Sequence, residues 1–234
     1  MPITHDEQRE KWNEEHRTPF ALKQMDVQTA SRGVRLFLEF LQRKDAHNLI
    51  GLEMGCGKGR NVIGLARENI VTKMYGFDFS DVAIGEARRR AEEEKVSSKV
   101  QFDVMDATQT WKYESDFFDF GIDCFASTDI ESMEGRKFAV GEMRRVLKPS
   151  GYFLVYVMST DDEYHKMMAV KSPADEANAF YNEVNGKFEK SFSKEELDAM
   201  YKNFKLIESK RIEKATKFFE KSYNCKLHWR VYKK

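Results

Sequence analysis

A glycine-rich loop between two regular elements constrains the fold of this chain more than any other feature. The loop occupies 55–59, follows the apolar stretch 48–54 (NLIGLEM) and precedes a segment with helical apolar spacing at 61–67. Glycine reaches positive φ and leaves main-chain atoms open to a ligand that a Cβ would keep away. A strand, a glycine loop and a helix in this order are typical of the ligand-binding edge of a parallel α/β sheet.

The spacing of the glycines distinguishes two cofactors. A dinucleotide fingerprint needs a third glycine at position 60, where this chain has Arg60. Gly55, Gly57 and Gly59 instead form GxGxG, the spacing of loops that bind S-adenosylmethionine. A tight turn without a ligand is the alternative for the loop taken alone. We therefore expect S-adenosylmethionine to bind and NAD not to bind.

Strands and helices alternate along most of the chain. Further strands are predicted at 71–78, 100–105, 118–124 and 152–158, and helices at 61–67, 81–95 and 134–147, the last ending in a turn at 148–151. This alternation predicts a parallel sheet covered by helices on both faces. Near the end, Ser193 and Glu196 form a capping box for a helix at 194–203. Two strand-like segments, 204–212 and 223–232, follow without a helix between them.

Carboxylates close the second and third predicted strands. Asp78 lies 19 residues after Gly59, where a carboxylate can accept hydrogen bonds from both ribose hydroxyls. Asp106 and Ala107 end the third strand in the same way and could bind an adenine amino group. A surface aspartate and an ordinary strand-end turn are the alternatives for each taken alone. Their common position predicts one ligand-binding edge.

Five segments carry a family resemblance. LEMGCGKGRNVIGLA, YGFDFSDVAIGEARRRAEE, VQFDVMDA, FDFGIDC and MRRVLKPSGYFLVYV occur in this order between about 48 and 158. The chain resembles the class I S-adenosylmethionine-dependent methyltransferases, with a fainter likeness in SFSKEELDAMYKNF. The variant GCGKGRN, with Trp12 and the Thr-Pro-Phe at 18–20, further resembles the tellurite-resistance and thiopurine methyltransferases.

The resemblance implies a doubly wound, Rossmann-like α/β fold. Its seven-stranded sheet is mostly parallel, has an antiparallel last strand and carries helices on both faces. The glycine loop would line the amino-acid part of the cofactor, Asp78 the ribose and Phe79 the adenine, while 123–125 would lie near the reactive methyl. The product would be S-adenosylhomocysteine. The implied cofactor-binding residues are Gly55, Cys56, Gly57, Gly59, Asp78, Phe79, Asp106, Ala107 and Asp123.

The length of 234 residues suits a single methyltransferase domain with four parts. Residues 1–45 form an N-terminal helical cap, with helices at 5–17 and 27–43. Residues 46–158 form the cofactor-binding core. An insertion at 159–190 forms a substrate lid, because a long segment beside the active edge usually covers it. Residues 191–234 form a C-terminal helix and β-hairpin.

The sequence lacks the motifs of two classes of DNA methyltransferase, which narrows the range of methyl acceptors. The four prolines are never adjacent and none precedes a cysteine, which excludes the Pro-Pro and Pro-Cys motifs of DNA methylation. Direct transfer to an O, N or S atom remains. Asp123, Tyr164 and His165 are the candidate catalytic residues, although for His165 a solvent-exposed histidine is the simpler interpretation, and the methionine and aromatic residues of 159–190 more simply pack a small subdomain. The candidate acceptor-binding residues are Trp12, Arg17, Phe125, Tyr164, His165 and Tyr181.

Charge and composition limit the kinds of partner that the chain can bind. Lys+Arg and Asp+Glu both number 39, yet residues 201–234 hold eleven basic and three acidic residues, a net +8. This tail could dock RNA or protein, or it could simply keep edge strands solvated. The three cysteines lack metal-ligand spacing and predict reduced thiols and no metal. We find no leader-like segment and no stretch long enough to cross a bilayer, and expect a cytoplasmic monomer or homodimer.

Three functions follow from the sequence. The leading one is a methyltransferase for a small-molecule acceptor, without DNA or membrane partners. The second is an RNA or protein methyltransferase that docks through the basic C-terminal region. The third is a protein that binds S-adenosylmethionine without catalysis.

Overall fold

The computed structural model describes residues 3–18, 29–218 and 221–234. The helices are α1 (His5–Arg17), α2 (Arg32–Gln42), α3 (Arg60–Ala66), α4 (Asp81–Glu93), α5 (Met133–Val146), α6 (Glu163–Lys171) and α7 (Lys194–Met200). The strands are β1 (Leu49–Met54), β2 (Val71–Asp78), β3 (Val100–Val104), β4 (Phe118–Cys124), β5 (Leu147–Met158), β6 (Ala179–Tyr181), β7 (Phe188–Lys190), β8 (Lys205–Phe218) and β9 (Lys221–Lys233).

One seven-stranded sheet organises the molecule, in the order β3-β2-β1-β4-β5-β9-β8. Strands β1 to β5 pair in parallel, whereas β9 is antiparallel to both of its neighbours, β5 and β8. The strand order reverses between β1 and β4, and open α/β sheets bind ligands at the carboxyl edge of such a switch point. The predicted fold class is confirmed.

Apolar side chains pack on both faces of the sheet. On one face Phe37 of α2 and Val62 of α3 belong to the same buried cluster as Trp229 of β9. On the other face Met143 of α5 and Tyr201, directly after α7, enclose the inner residues of β1, β4 and β5. The indole Nε1 of Trp229 donates to the Gly33 carbonyl at 2.8 Å, which ties the C-terminal hairpin to α2. The sheet is therefore covered on both sides, as the strand and helix pattern predicts.

Three predicted boundaries are wrong. The strand predicted at 204–212 extends to Phe218 as β8. The helix predicted over 27–43 begins at Arg32, because the Ser31 hydroxyl caps it by accepting from the Val34 amide; residues 27 and 28 lie outside the described residues. The predicted turn at 148–151 lies inside β5, which starts directly after α5. Phe118 pairs with Leu147 but Phe120 with Tyr152, so this segment bulges from the ladder. A proline cannot donate to a ladder and is tolerated in such a bulge.

The insertion at 159–190 folds into α6 and a small antiparallel hairpin, β6–β7. Tyr164, Met168 and Phe180 form a buried apolar cluster of their own, which agrees with the predicted packing of a small subdomain. The ring of Tyr164 also lies 5.4 Å from that of Tyr223 on β9, so the insertion is supported by the C-terminal hairpin.

Helix α1 crosses the carboxyl edge of the sheet. It begins with a capping box between Thr4 and Glu7. The fully buried side chain of Gln8 donates to the carbonyls of Asp129 and Phe188 and accepts from the Phe188 amide. The helix is thereby fastened both to the loop after β4 and to the insertion. In the described part of the chain, every helix is too short or too polar to cross a membrane.

Candidate cofactor and acceptor site

The three glycines of the loop have different roles. Gly55, Gly57 and Gly59 all have positive φ, at +61°, +52° and +75°. A Cβ on Gly55 would approach the Cβ of Ala126 to 2.5 Å, and one on Gly59 would approach the Phe102 ring to 2.7 Å. A Cβ on Gly57 would meet only His16 Cε1, at 3.8 Å. Packing therefore requires the outer two glycines, while the middle one leaves space that a ligand can use.

Asp78 ends β2 directly beside the loop. Its Oδ2 accepts from the Gly57 amide and its Oδ1 from the Ser80 amide, both at 2.9 Å. Burial raises the pKa of Asp78 to about 6 in spite of these two donors. A carboxylate offers about four acceptor sites, so each oxygen keeps capacity for a further donor such as a ribose hydroxyl.

Glu53, near the end of β1, carries an unpaired oxygen. Its Oε1 accepts from Asn61 Nδ2 at 2.6 Å, while its buried Oε2 has no partner among the described residues. Burial raises the pKa of Glu53 to about 8. Cys56 is also buried, and its amide donates to the Phe77 carbonyl. An unsatisfied acceptor beside a glycine loop fits the amino group of an amino-acid ligand.

Asp106 is engaged by the first helix. His5 Nε2 lies 2.8 Å from Asp106 Oδ2, and His5 Nδ1 lies 2.5 Å from Glu131 Oε1. Hydrogen bonds to these two carboxylates raise the pKa of His5 to about 10. The His5 ring is 5.7 Å from the Phe79 ring. The carbonyl of Ala107 accepts from the indole Nε1 of Trp111. An adenine at this edge would therefore meet His5 as well as Asp106.

Asp123 and Phe125 shape the turn after β4. Asp123 is fully buried, with Oδ1 accepting from the Ser127 amide at 3.1 Å and Oδ2 from the Tyr201 hydroxyl at 3.5 Å. Burial raises its pKa to about 6. Phe125 has a φ of +71° and its ring packs 5.0 Å from Tyr156. The contacts of Asp123 are those of a structural carboxylate.

Helix α1 presents two rings toward the interior. Trp12 is half-buried and the ammonium of Lys187 lies 3.3 Å from the centre of its ring. His16 is buried, and desolvation together with the charges of Lys58 and Lys187 lowers its pKa to about 4. Neither Trp12 Nε1 nor His16 Nδ1 has a hydrogen-bond partner among the described residues. Arg17, by contrast, is exposed and ion-paired with Glu10.

The prediction that His165 is solvent-exposed is wrong, because it is 3% exposed. Its Nδ1 lies 2.9 Å from Asp162 Oδ1 and its Nε2 lies 3.5 Å from Glu189 Oε2. Burial lowers the pKa of His165, but these two carboxylates outweigh it and raise the pKa to about 9. Tyr164 packs beside it, and the Tyr181 hydroxyl accepts from the Ile3 amide at 3.4 Å.

The predicted residues fall into two groups. The glycine loop, Asp78 and Asp106 lie along one edge, where His16 of α1 approaches Gly57 and His5 pairs with Asp106. Tyr164, His165 and Tyr181 form the second group, on the insertion. A cavity of about 340 Å³ lies beside it, with Ile3, Glu131, Tyr181 and Phe188 in its wall. Sequence reasoning missed Gln8, Asp129, Glu131, Lys187 and Glu189, whose polarity suggested surface positions. Gln8 and Lys187 are buried and the other three are half-buried, which becomes visible only once α1 is placed across the sheet.

These features define a class I methyltransferase fold, with a glycine loop and two strand-end carboxylates at the switch point. A family model for the methyltransferase domain matches residues 46–221, and the chain belongs to that family. The class uses S-adenosylmethionine as the methyl donor.

Particular relatives are more distant. The chain is 28% identical over 124 residues to a demethylmenaquinone methyltransferase of Leptospira interrogans, and the match spans 51% of this chain and 49% of the relative. The chain thus spans about half the length of the curated relatives it matches. An S-adenosylmethionine-dependent methyltransferase structure from Methanosarcina mazei has a TM-score of 0.73 at 19% identity, covering 83% of this chain and 96% of that one. The 1,6-didemethyltoxoflavin-N1-methyltransferase of Burkholderia thailandensis, solved with S-adenosylhomocysteine, has a TM-score of 0.73 at 13% identity, covering 100% and 92%.

The residues present fit this donor. The space beside Gly57, the spare acceptor capacity of Asp78 and the unpaired oxygen of Glu53 are the features that a nucleoside joined to an amino acid requires. Within the described ranges, we find no group of three or more His, Cys, Asp or Glu residues that could hold a metal ion.

Proposed function

We propose that the protein transfers the methyl group of S-adenosylmethionine to an O, N or S atom of a small molecule. The observation that supports this proposal is that Gln8 of α1 donates to the carbonyls of both Asp129 and Phe188, which joins the helix to the loop after β4 and to the insertion. A site covered by these two elements would admit a compact acceptor more readily than a folded macromolecule. The acceptor would lie between these elements and the carboxyl ends of β1 and β4.

The donor would be held by the loop and the strand ends. Asp78 would accept from the ribose hydroxyls, Glu53 and the glycine loop would take the amino-acid part, and Phe79 and Asp106 would flank the adenine. When bound, S-adenosylmethionine supplies an electrophilic methyl group on a sulfonium. The chain itself would align the acceptor atom with the methyl group and exclude water from the site. In-line displacement depends mainly on alignment, and a covered site keeps water from the reacting atoms.

The experiment that tests this proposal is a screen of candidate acceptors with methyl-labelled S-adenosylmethionine. Phenols, amines, thiols, a demethylated menaquinone and 1,6-didemethyltoxoflavin are suitable, because the last two are the acceptors in the names of the relatives. We expect label transfer to at least one protic small molecule, and much slower transfer with the Asp78→Ala variant when the donor is not saturating. Tight binding of S-adenosylhomocysteine without transfer to any acceptor would instead support the non-catalytic alternative.

A further inference from the structure

The cavity of about 340 Å³ beside the insertion has an acidic wall. Of the nine described residues that line it, none is basic and four are acids, namely Glu131, Glu134, Asp175 and Glu176. Glu131 precedes α5 and Glu134 lies in its first turn, whereas the other two precede β6 of the insertion. The core and the insertion therefore both contribute carboxylates to one space. Its volume is at the lower end of the range for small-molecule sites.

Glu131 keeps an oxygen without a donor. Its Oε1 lies 2.5 Å from His5 Nδ1, while its buried Oε2 has no hydrogen-bond partner among the described residues. The same histidine lies 2.8 Å from Asp106 Oδ2 through its other ring nitrogen, so one cation serves two carboxylates. A buried acceptor without a partner is costly, and a donor group on a ligand would remove that cost.

The remaining acids are only partly neutralised. Glu176 is paired with the buried Arg136 and, at 3.4 Å, with Lys190. Glu134 and Asp175 are exposed, and in the described part of the chain neither has an ion-pair partner. Within the same part of the chain, no group of three or more His, Cys, Asp or Glu side chains could hold a metal ion. The negative charge is spread around the wall, which suits an organic cation better than a metal ion.

The rest of the wall is largely apolar. Tyr181 and Phe188 line the cavity with rings 6.3 Å apart in an edge-to-face arrangement. Ile3, just before α1, lines it as well, and its amide donates to the Tyr181 hydroxyl at 3.4 Å. Aromatic rings attract ammonium groups through their faces, and carboxylates pair with them. The cavity thus offers apolar contacts for the body of a ligand and negative charge for one end of it.

We propose, on the basis of the function proposed above, that this cavity holds the acceptor and selects one that carries a cationic amine or amidine on a compact apolar body. His5, which pairs with both Glu131 and Asp106, sets the cavity beside the edge where the adenine would lie. The cationic nitrogen is the recognition group and not the methylated atom, because a protonated nitrogen has no lone pair to attack the methyl carbon. A second O, N or S atom of the same molecule receives the methyl group.

The first test uses three probes that share a ring and differ in charge: 2-phenylethylamine, 2-phenylethanol and phenylacetate. Calorimetric titration of the full chain, saturated with S-adenosylhomocysteine, measures their affinities. We expect the amine to bind about tenfold or more tightly than the alcohol, the effect of one hydrogen bond to a charged group, and phenylacetate to bind most weakly. An amine that does not bind, or binds no more tightly than the alcohol, would overturn the proposal.

Variants locate the bound cation. The double variant Glu134→Gln/Asp175→Asn removes the two unpaired charges and keeps the shape of the wall, so 2-phenylethylamine should bind about fivefold or more weakly while 2-phenylethanol is unaffected. Both positions are exposed, so the melting temperature should not change. Glu183→Gln is the matched control, because Glu183 is an exposed acid of the same insertion that pairs with Lys171 and does not line the cavity. Equal effects of the control and the double variant, or no effect of either, would contradict the proposal.

These binding measurements do not depend on methyl transfer. If the acceptor screen yields no product while the amine binds and the double variant weakens it, the proposed function fails and the cation site stands. If the screen identifies a neutral or anionic acceptor whose KM is the same in wild type and the double variant, the methyltransferase function stands and the selection of a cationic acceptor is wrong.

Discussion

At the scale of single residues, Asp78 combines two roles in one carboxylate. It fastens the middle of the glycine loop through the Gly57 amide and begins the turn into α4 through the Ser80 amide. Ser80 in turn donates through its hydroxyl to Asn13 on α1 at 2.6 Å. A change at Asp78 therefore reaches the loop, the next helix and α1 together.

Asp78→Ala should weaken binding of S-adenosylhomocysteine by about 2–4 kcal/mol, because two charge-assisted hydrogen bonds of about 1.5–3 kcal/mol each are lost and water compensates in part. Calorimetric titration at neutral pH measures this loss. Gly85→Ala is a matched control, since a Cβ there meets nothing within 4 Å. Unchanged affinity in Asp78→Ala would mean that Asp78 serves the fold alone.

The same carboxylate predicts a pH dependence of binding. The pKa of Asp78 is raised to about 6 by burial, and ribose hydroxyls donate best to the ionised form. The affinity for S-adenosylhomocysteine should therefore fall by up to about tenfold per pH unit through the loss of this carboxylate as pH drops below about 6. Asp78→Asn should bind weakly at every pH and lose this dependence, which isothermal titration across a pH series can establish.

His5 predicts a pH dependence of stability. Its pKa is raised to about 10, so its ion pairs stabilise the fold fully below the unfolded value of 6.5 and lose that effect as pH rises through about 10. The side chain is 33% exposed, so solvent screening limits the contribution to about 1 kcal/mol. Denaturant unfolding of wild type and His5→Ala should show this difference at pH 6 and almost none near pH 11. A constant difference would contradict the assignment.

At the scale of elements, the insertion 159–190 and α1 contact each other directly and form one continuous unit. Phe188 and Lys187 contact Gln8 and Trp12 of α1. Lys11 adds a hydrogen bond to the Asn185 carbonyl at 3.2 Å. The proposed function assigns the donor to the glycine loop of the core and the acceptor to the space beneath this unit, so changes in the unit should act on the acceptor more than on the donor.

Tyr181→Ala and His165→Ala should accordingly impair turnover of an acceptor and leave the affinity for S-adenosylhomocysteine nearly intact. Tyr181→Phe removes only the hydroxyl that accepts from the Ile3 amide and keeps the ring. Comparison with Tyr181→Ala therefore distinguishes the effect of the ring from that of the hydrogen bond. Steady-state kinetics with parallel melting curves are the measurement. Lower melting temperatures with unchanged acceptor kinetics would show that the insertion only supports the fold.

Helices and strands set by local sequence patterns could be predicted from the sequence. Contacts between residues far apart in the chain could not. β2 and β4 have the predicted bounds, and the capping box of Ser193 and Glu196 is present. These depend on apolar runs and on caps within a few residues. The environment of His165 depends instead on Glu189, 24 positions away. Polar residues that find their partners across such distances carry no local pattern.

At the scale of the whole molecule, balanced charge hides an uneven distribution. The basic C-terminal region lies at the sheet edge in β8 and β9, and several of its cations are paired with acids elsewhere in the chain. Such pairs include Arg211 with Asp161, Arg230 with Asp198 and Lys234 with Asp116. Pairing of this kind lowers the field that a polyanion would meet.

We therefore expect no saturable RNA binding at 150 mM salt, although weak association near about 10⁻⁴–10⁻⁶ M can occur for basic surfaces at such salt concentrations. Fluorescence anisotropy with a labelled single-stranded oligonucleotide over a salt series tests this. Lys214→Glu, on the exposed part of β8, provides the comparison. Tight binding with a steep logarithmic salt slope, weakened by that substitution, would favour the RNA-docking alternative.

Helix α1 is tied down at both ends, by His5 to Asp106 and by the Lys58 ammonium to the His16 carbonyl at 2.9 Å. If the donor lies between the glycine loop and this helix, as proposed, these two ties would hinder its exit. The reaction should therefore be compulsory in its order, with the donor entering first and its demethylated product leaving last. The slowest step would then be an opening event and not methyl transfer, so that the first turnover appears as a burst and added S-adenosylhomocysteine competes with the donor alone.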